Sequence, residues 1–181
     1  MKLVLDACVL YPPILRDILL GAAKAGLFEP LWSERILEEW ARATRKLGPA
    51  AEAQARISVA LTKAGFPKAM LAAAPGLEAR LHLPDENDTH VLAVAVAGSA
   101  DAILTLNNAD FPRHVLAAEG VQRREPDGFL WELWSSQPQA MGLVLEAVRA
   151  EAERLSGAPV TLKSLLKRAK LPRLAKAVAQ A

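Results

Sequence analysis

The chain has 181 residues and one cysteine, with 22 Lys and Arg against 20 Asp and Glu. That length buries a substantial core within one domain, and a sequence that is 52% hydrophobic and 23% charged excludes wholesale disorder. The lone Cys8 excludes a disulfide framework and a Cys-rich zinc site, and suits a reducing compartment. No apolar run reaches the roughly 18 residues that a spanning helix needs, and Asp6 interrupts the first one too early for a signal peptide's core. A soluble, cytoplasmic protein with no membrane partner is expected.

The net charge of +2 conceals an asymmetry. Residues 160–181 carry Lys163, Lys167, Arg168, Lys170, Arg173 and Lys176 with no acid, leaving 16 basic residues (22 less 6) against 20 acids elsewhere. An acidic body with a basic tail suits a cation in one part and a polyanion in the other. Cations closing a helix would give the same count.

Lys2 to Leu5 reads as a buried strand that ends on an acid. Ile14 to Lys24 has helical spacing and stops at Gly26; Leu27 to Trp32 forms a second strand. Ser33 then caps a helix carrying Ile36, Leu37, Trp40 and Ala41 on one face. Further helices are expected over 50–64 and 67–74, and a third strand over Glu78 to Leu83. Asp85 to Ala97 is a helix so apolar that it must be buried on most sides. Ala102 to Leu106 and Val121 to Arg123 complete five strands, and from Asp127 onward only helical patterns remain, broken at Pro138, Gly157 to Pro159 and Pro172. Strands alternating with helices predict a parallel sheet covered on both faces. The expected organisation is an α/β domain over 1–134 and a helical extension with a basic tail over 135–181.

In open parallel sheets, sites form beyond the carboxyl ends of the strands, and the acids fall there. Asp6 follows the first strand, Asp85 and Asp88 the third, Asn107 and Asp110 the fourth; Glu38 and Glu39 lie on the helix after the second. Asp85 and Asp88 also read as a local helix cap, Glu38 and Glu39 as exposed helix acids, and Asp110 as a cap for a helix starting at Phe111-Pro112. Asp6 has the weakest such alternative, because an acid ending a buried strand must be desolvated, hydrogen-bonded or bound to a cation. Oxygen ligands without a Cys or His cluster suit Mg²⁺ or Mn²⁺, and metal-dependent phosphodiester cleavage is the chemistry that follows. His82, His90 and His114 read as structural or surface residues, since His90 would need the side of its helix opposite Asp88. Trp32, Trp40, Trp131 and Trp134 read as core or interface anchors, and Cys8 as a small buried residue.

Four segments together, Val4 to Leu10, Trp32 to Trp40, Asp85 to Ala93 and Ile103 to Pro112, resemble PIN-domain proteins in order and spacing over about residues 1–130. They are most similar to the group containing VapC-type ribonuclease toxins of bacterial toxin–antitoxin pairs. The resemblance implies a three-layer α/β/α sandwich around a mostly parallel sheet, and an acidic site that binds Mg²⁺ or Mn²⁺ and cleaves RNA to a 5′-phosphate and a 3′-hydroxyl. Position by position it implies Asp6, Glu39, Asp88 and Asp110 as catalytic metal ligands. Glu39 is selected over Glu38 because an apolar residue follows it, Asp85 is left as a cap, and Thr105 orients a ligand or water. Many members carry Asp where this chain has Asn107, which weakens a second metal position. The resemblance also implies a homodimer and a cognate antitoxin. Candidate phosphate contacts are the tail, Arg16, Arg113, Arg123 and Arg124, with the tail preferred.

Rival classes fare worse. An aspartyl phosphotransferase or dehalogenase would carry a second Asp where Cys8 stands, and no Gly-rich phosphate loop follows the first strand. A catalytically weak RNA-binding or scaffold protein of the same family is the alternative, with Asn107 its best argument.

Overall fold

The protein is described here from a computed structural model covering residues 1–180. In chain order the elements are β1 (Lys2–Leu5), α1 (Ala7–Leu10), α2 (Pro13–Lys24), β2 (Glu29–Ser33), α3 (Glu34–Ala43), α4 (Pro49–Gly65), β3 (Met70–Leu71), α5 (Pro75–Glu78), α6 (Thr89–Ala97), β4 (Ala102–Leu104), α7 (Arg113–Ala118), β5 (Gln122–Arg124), α8 (Pro126–Ser136), α9 (Pro138–Ser156), α10 (Leu162–Arg168) and α11 (Pro172–Val178). Short 3₁₀ turns precede α4 (Thr44–Leu47) and α6 (Glu86–Asp88). The result is the expected three-layer α/β/α architecture with C-terminal helices. No described helix is long and apolar enough to cross a membrane.

The five strands form one parallel sheet in the order β3-β2-β1-β4-β5. Leu3, Val4 and Leu5 of β1 and Ala102, Ile103 and Leu104 of β4 are all buried, which requires cover on both faces of the sheet. α6 is the most apolar helix: every residue from Thr89 to Ala95 is buried, and it packs on β1, β2 and β4. Ser33 caps α3 as expected, its hydroxyl accepting from the Ile36 amide at 3.3 Å.

Two expectations fail. Glu78 to Leu83 is not a strand and residues 67–74 are not a helix; the third strand is the two-residue Met70–Leu71, paired with Trp32 and Ser33. So short a strand has no periodicity to read, and its edge pairing is decided by tertiary contact. The helix read over 85–97 is a 3₁₀ turn followed by α6, because Asp85 accepts from the Asn87 amide and tightens the first turn.

The chain divides into two compact units. One comprises Met1–Tyr11 and Phe28–Arg124 and holds the sheet. The other comprises Pro12–Leu27 and the chain from Glu125 onward. Within it, α2 packs on α9, where the missing side chain of Gly21 admits Val144: a Cβ there would lie 2.8 Å from Val144 Cγ1. α11 packs on α8, and Asp127 ties the two together, its carboxylate accepting from the Arg173 amide at 2.9 Å and the Leu174 amide at 3.0 Å.

Asp127 thus satisfies the start of α11 from another helix, where the preceding Leu171 has no side-chain acceptor. Asp127→Ala should cost about 1–2 kcal/mol in urea unfolding and speed amide exchange at Arg173 and Leu174. Unchanged exchange there would show that the cap is dispensable.

Candidate metal centre

The strand order reverses between β1 and β4, which are neighbours at the middle of the sheet although distant in sequence. A crevice opens at the carboxyl ends of strands at such a switch point. Asp6 leaves β1 there, and Thr105 and Asn107 leave β4. The Asp6 amide still donates to the Leu104 carbonyl at 3.2 Å, so the pairing of the two strands fixes the first acid.

The Asp6 side chain is buried and held twice: its Oδ2 accepts from the Thr105 hydroxyl at 2.7 Å and from Cys8 Sγ at 3.0 Å. Burial and the neighbouring Asp6 charge push the Cys8 thiol up to about 12, so it remains a donor. The same sulfur accepts from the Leu106 amide at 3.2 Å. Cys8 is half-buried and ties α1 and the Asp6 carboxylate to the loop after β4, beyond the simple packing role read from sequence.

Asp85, Asp88 and Asp110 each offer a carboxylate oxygen, and these atoms all lie within 4.8 Å of one another. The two from the turn before α6 meet the one from the loop after β4. Asn107 sits between: its side-chain nitrogen donates to Asp110 and reaches Asp88 at 3.4 Å, and its amide donates to the Thr105 hydroxyl at 2.9 Å. Burial first, then the charges of Asp6, Asp85, Asp110 and Glu39, raise the Asp88 carboxyl to about 6. That shift expresses a surplus of negative charge in a half-buried space. Converging hard oxygens whose repulsion a single side-chain amide relieves only in part fit a divalent cation with oxygen preference.

Glu38 and Glu39 diverge. Glu38 binds Arg42 at 2.7 Å and Arg56 at 2.9 Å, and these hydrogen bonds, Arg56 first, hold its carboxyl down at about 2. Glu39 instead meets Arg35 at 3.2 Å and His90 Nε2 at 3.0 Å. The His90 ring is buried and neither nitrogen has hydrogen-bonding geometry, so the short Glu39 distance is a contact without alignment. Arg35 also reaches Glu78 at 3.0 Å and the Asn87 carbonyl at 3.1 Å, bracing α3 against the turn that carries Asp88.

Of the residues expected from sequence, the structure brings Asp88 and Asp110 into one oxygen cluster and sets Asp6 and Glu39 close enough for their charges to act on Asp88. Asp85 was assigned only a capping role; it caps Asn87 and joins the cluster as well. Asp110 does not cap the helix that follows, since Pro112 occupies that position and no side chain caps it. Arg123, expected as a phosphate contact, donates to the Asn108 carbonyl at 2.6 Å and the Phe111 carbonyl at 3.1 Å, pinning the loop that bears Asp110. Arg35, His90 and Cys8 were missed because their contacts join segments distant in sequence.

The sign of the Asp88 shift gives a test. Its folded-state value is raised, so its protonated form contributes stability that is fully present below about 4 and is lost as pH rises through about 6. In metal-free buffer the melting temperature should fall across that window, and Asp88→Asn should flatten the fall and raise the melting temperature at neutral pH. A variant no more stable than wild type at neutral pH would refute the repulsion.

The sequence model of the PIN domain matches residues 2–109, which is 108 of the 181 residues and includes Asp6, Glu39, Asp88 and Asn107. No curated protein and no solved structure matches the chain significantly. PIN domains are in general metal-dependent nucleases that act on RNA. With most of its length matched and its carboxylates gathered where β1 and β4 part, this chain belongs to the PIN domain family.

Proposed function

We propose that the chain is a Mg²⁺- or Mn²⁺-dependent endoribonuclease, the VapC-type toxin of a bacterial toxin–antitoxin pair. The observation that carries the nuclease reading is the gathering of Asp85, Asp88 and Asp110 oxygens within 4.8 Å, with the Asp6 and Glu39 charges bearing on Asp88. The toxin assignment, a cognate antitoxin and a homodimer rest on the four-segment resemblance, and a cytoplasmic location on the lone cysteine and the early acid of the first apolar run. In this reading residues 1–134 form the nuclease domain and 135–181 its extension.

Asp6, Glu39, Asp88 and Asp110 would hold the ion, and Asp85 would add a further oxygen. When bound, the ion neutralises phosphate charge and lowers the pKa of water for in-line attack. The chain's own residues orient that chemistry. The Thr105 hydroxyl and Cys8 thiol fix the Asp6 carboxylate, both bonds falling on Oδ2. Arg35 draws Glu39 toward the turn carrying Asp88. Asp110, on the loop pinned by Arg123, orients the attacking water.

A second reading has one observation behind it. Asn107 replaces a carboxylate with an amide that donates to both Asp88 and Asp110, and so supplies within the protein part of the relief a cation would give. This favours a catalytically weak RNA-binding protein.

Purified protein with a mixed RNA pool and Mn²⁺ or Mg²⁺ should yield cleavage that EDTA and Asp6→Asn both abolish. RNA binding without cleavage under either ion would favour the second reading. The ion should also raise the melting temperature, by about 2.7 kcal/mol of stability at a hundredfold excess over its dissociation constant. Asp88→Asn should lose most of that gain; no gain in the wild type would remove the metal assignment.

A further inference from the structure

The six cations of α10, α11 and the turn between them have no counter-ion among the described residues. Lys163, Lys167, Arg168, Lys170, Arg173 and Lys176 are all exposed, and none forms an ion pair with a described residue. The acids of neighbouring α9 are already engaged on their own helix: Arg149 holds Glu146 at 2.5 Å and Glu153 at 2.6 Å, and Arg154 holds Glu151 at 2.6 Å. Asp127 is taken by backbone amides. Of the six, Arg173 alone has a side-chain partner of another kind, lying 3.7 Å over the Trp131 ring. Elsewhere Arg35, Arg42, Arg45, Arg56 and Arg80 each find a carboxylate within 3.2 Å. Lys24 and Lys68 are likewise without an ion pair among the described residues, so what distinguishes this surface is six cations gathered within residues 160–181 with no acid among them.

Folding accounts for only some of these charges. Lys167 and Arg168 close α10, where the helix dipole favours cations, but Lys163 stands in its first turn, where the dipole does not. Lys163 and Lys167 are four apart on one helix face, a like-charge arrangement that opposes the helix. Lys170 has φ +59°, a left-handed conformation that glycine or asparagine adopts with less strain. Positive charge therefore stands at positions where stability alone favours other residues.

Three of these lysines also converge. Lys163, Lys167 and Lys176, with Pro172, Ala175 and Gln180, line one concavity of about 240 Å³ with no acid among its described lining residues. Ammonium groups so placed match a run of phosphates rather than a single carboxylate. A membrane surface would need an exposed apolar face beside the cations, whereas Leu165, Leu166 and Leu174 are buried.

We propose that the α10–α11 surface is a binding site for the phosphate backbone of single-stranded RNA, with Lys163, Lys167 and Lys176 as its principal contacts. The proposal rests on the reading of RNA as substrate and adds a site other than the acidic cluster. Lysines used as point charges hold phosphates without reading bases, so the site is indifferent to sequence and sensitive to salt.

The test uses the full chain in EDTA, so that binding is read with no cleavage. Anisotropy of a fluorescein-labelled single-stranded RNA of mixed sequence is followed against salt. The triple variant Lys163→Gln, Lys167→Gln, Lys176→Gln should make the slope of log affinity against log salt shallower by about 2, and each single variant by about 0.7. The corresponding Lys→Arg triple should keep the wild-type slope. Unchanged slopes in the Gln variants overturn the proposal, as does wild-type protein that binds phosphatidylserine vesicles but not RNA. Lysine-dependent binding without metal-dependent cleavage would uphold this site while the nuclease reading fails.

Discussion

Repulsion among carboxylates is the constraint around which the sheet-bearing unit is arranged. Parallel strands deliver their ends to one edge of the sheet, and here Asp6 and the turns and helices that follow the other strands bring acids there. Like charges in a half-buried space oppose folding unless something fixes each one. The protein fixes Asp6 with a hydroxyl and a thiol, Glu39 with Arg35, and Asp110 with the Asn107 amide. Asp88 retains a cost, as a carboxyl that burial first and the neighbouring charges next raise to about 6.

The supporting contacts show how local elements serve that edge. Burial of α6 against β1, β2 and β4 sets the start of the helix, and with it the turn bearing Asp85 and Asp88. Arg123 of β5 grips the loop after β4 through two backbone carbonyls. Arg35 of α3 reaches three groups, Glu39, Glu78 and the Asn87 carbonyl, so one guanidinium spans three segments. Its planar array of donors makes that possible, which a single ammonium could not reproduce. Glu38, one residue from Glu39, is turned by the helix toward Arg42 and Arg56 instead.

Much of this was legible in the sequence, and for identifiable reasons. Val4 and Leu5 before Asp6, and Ile103 and Leu104 before Thr105, are short apolar runs of the kind that central parallel strands require. Ser33 marked the start of α3, and the run from Val91 to Ala95 marked a buried helix. Met70–Leu71 was not legible, because two residues have no period and their pairing depends on β2. Among site residues, Asp88 and Asp110 stood where topology sends acids to one edge. Asp85 was half seen, since a cap and a cluster member can be the same carboxylate. The roles of Cys8, Arg35 and His90 depend on partners far away along the chain or across a helix, which spacing alone does not reveal.

The carboxamide of Asn107 carries a donor end and an acceptor end on one planar group. Its nitrogen now faces Asp88 and Asp110, acting as a tethered surrogate for positive charge. A half-turn about the last side-chain bond would present the oxygen to the same place. One residue can therefore serve the cluster in two charge states, as internal neutraliser or as neutral ligand. An aspartate at 107 could serve only as a charged ligand, and would add a further charge to those already crowded there.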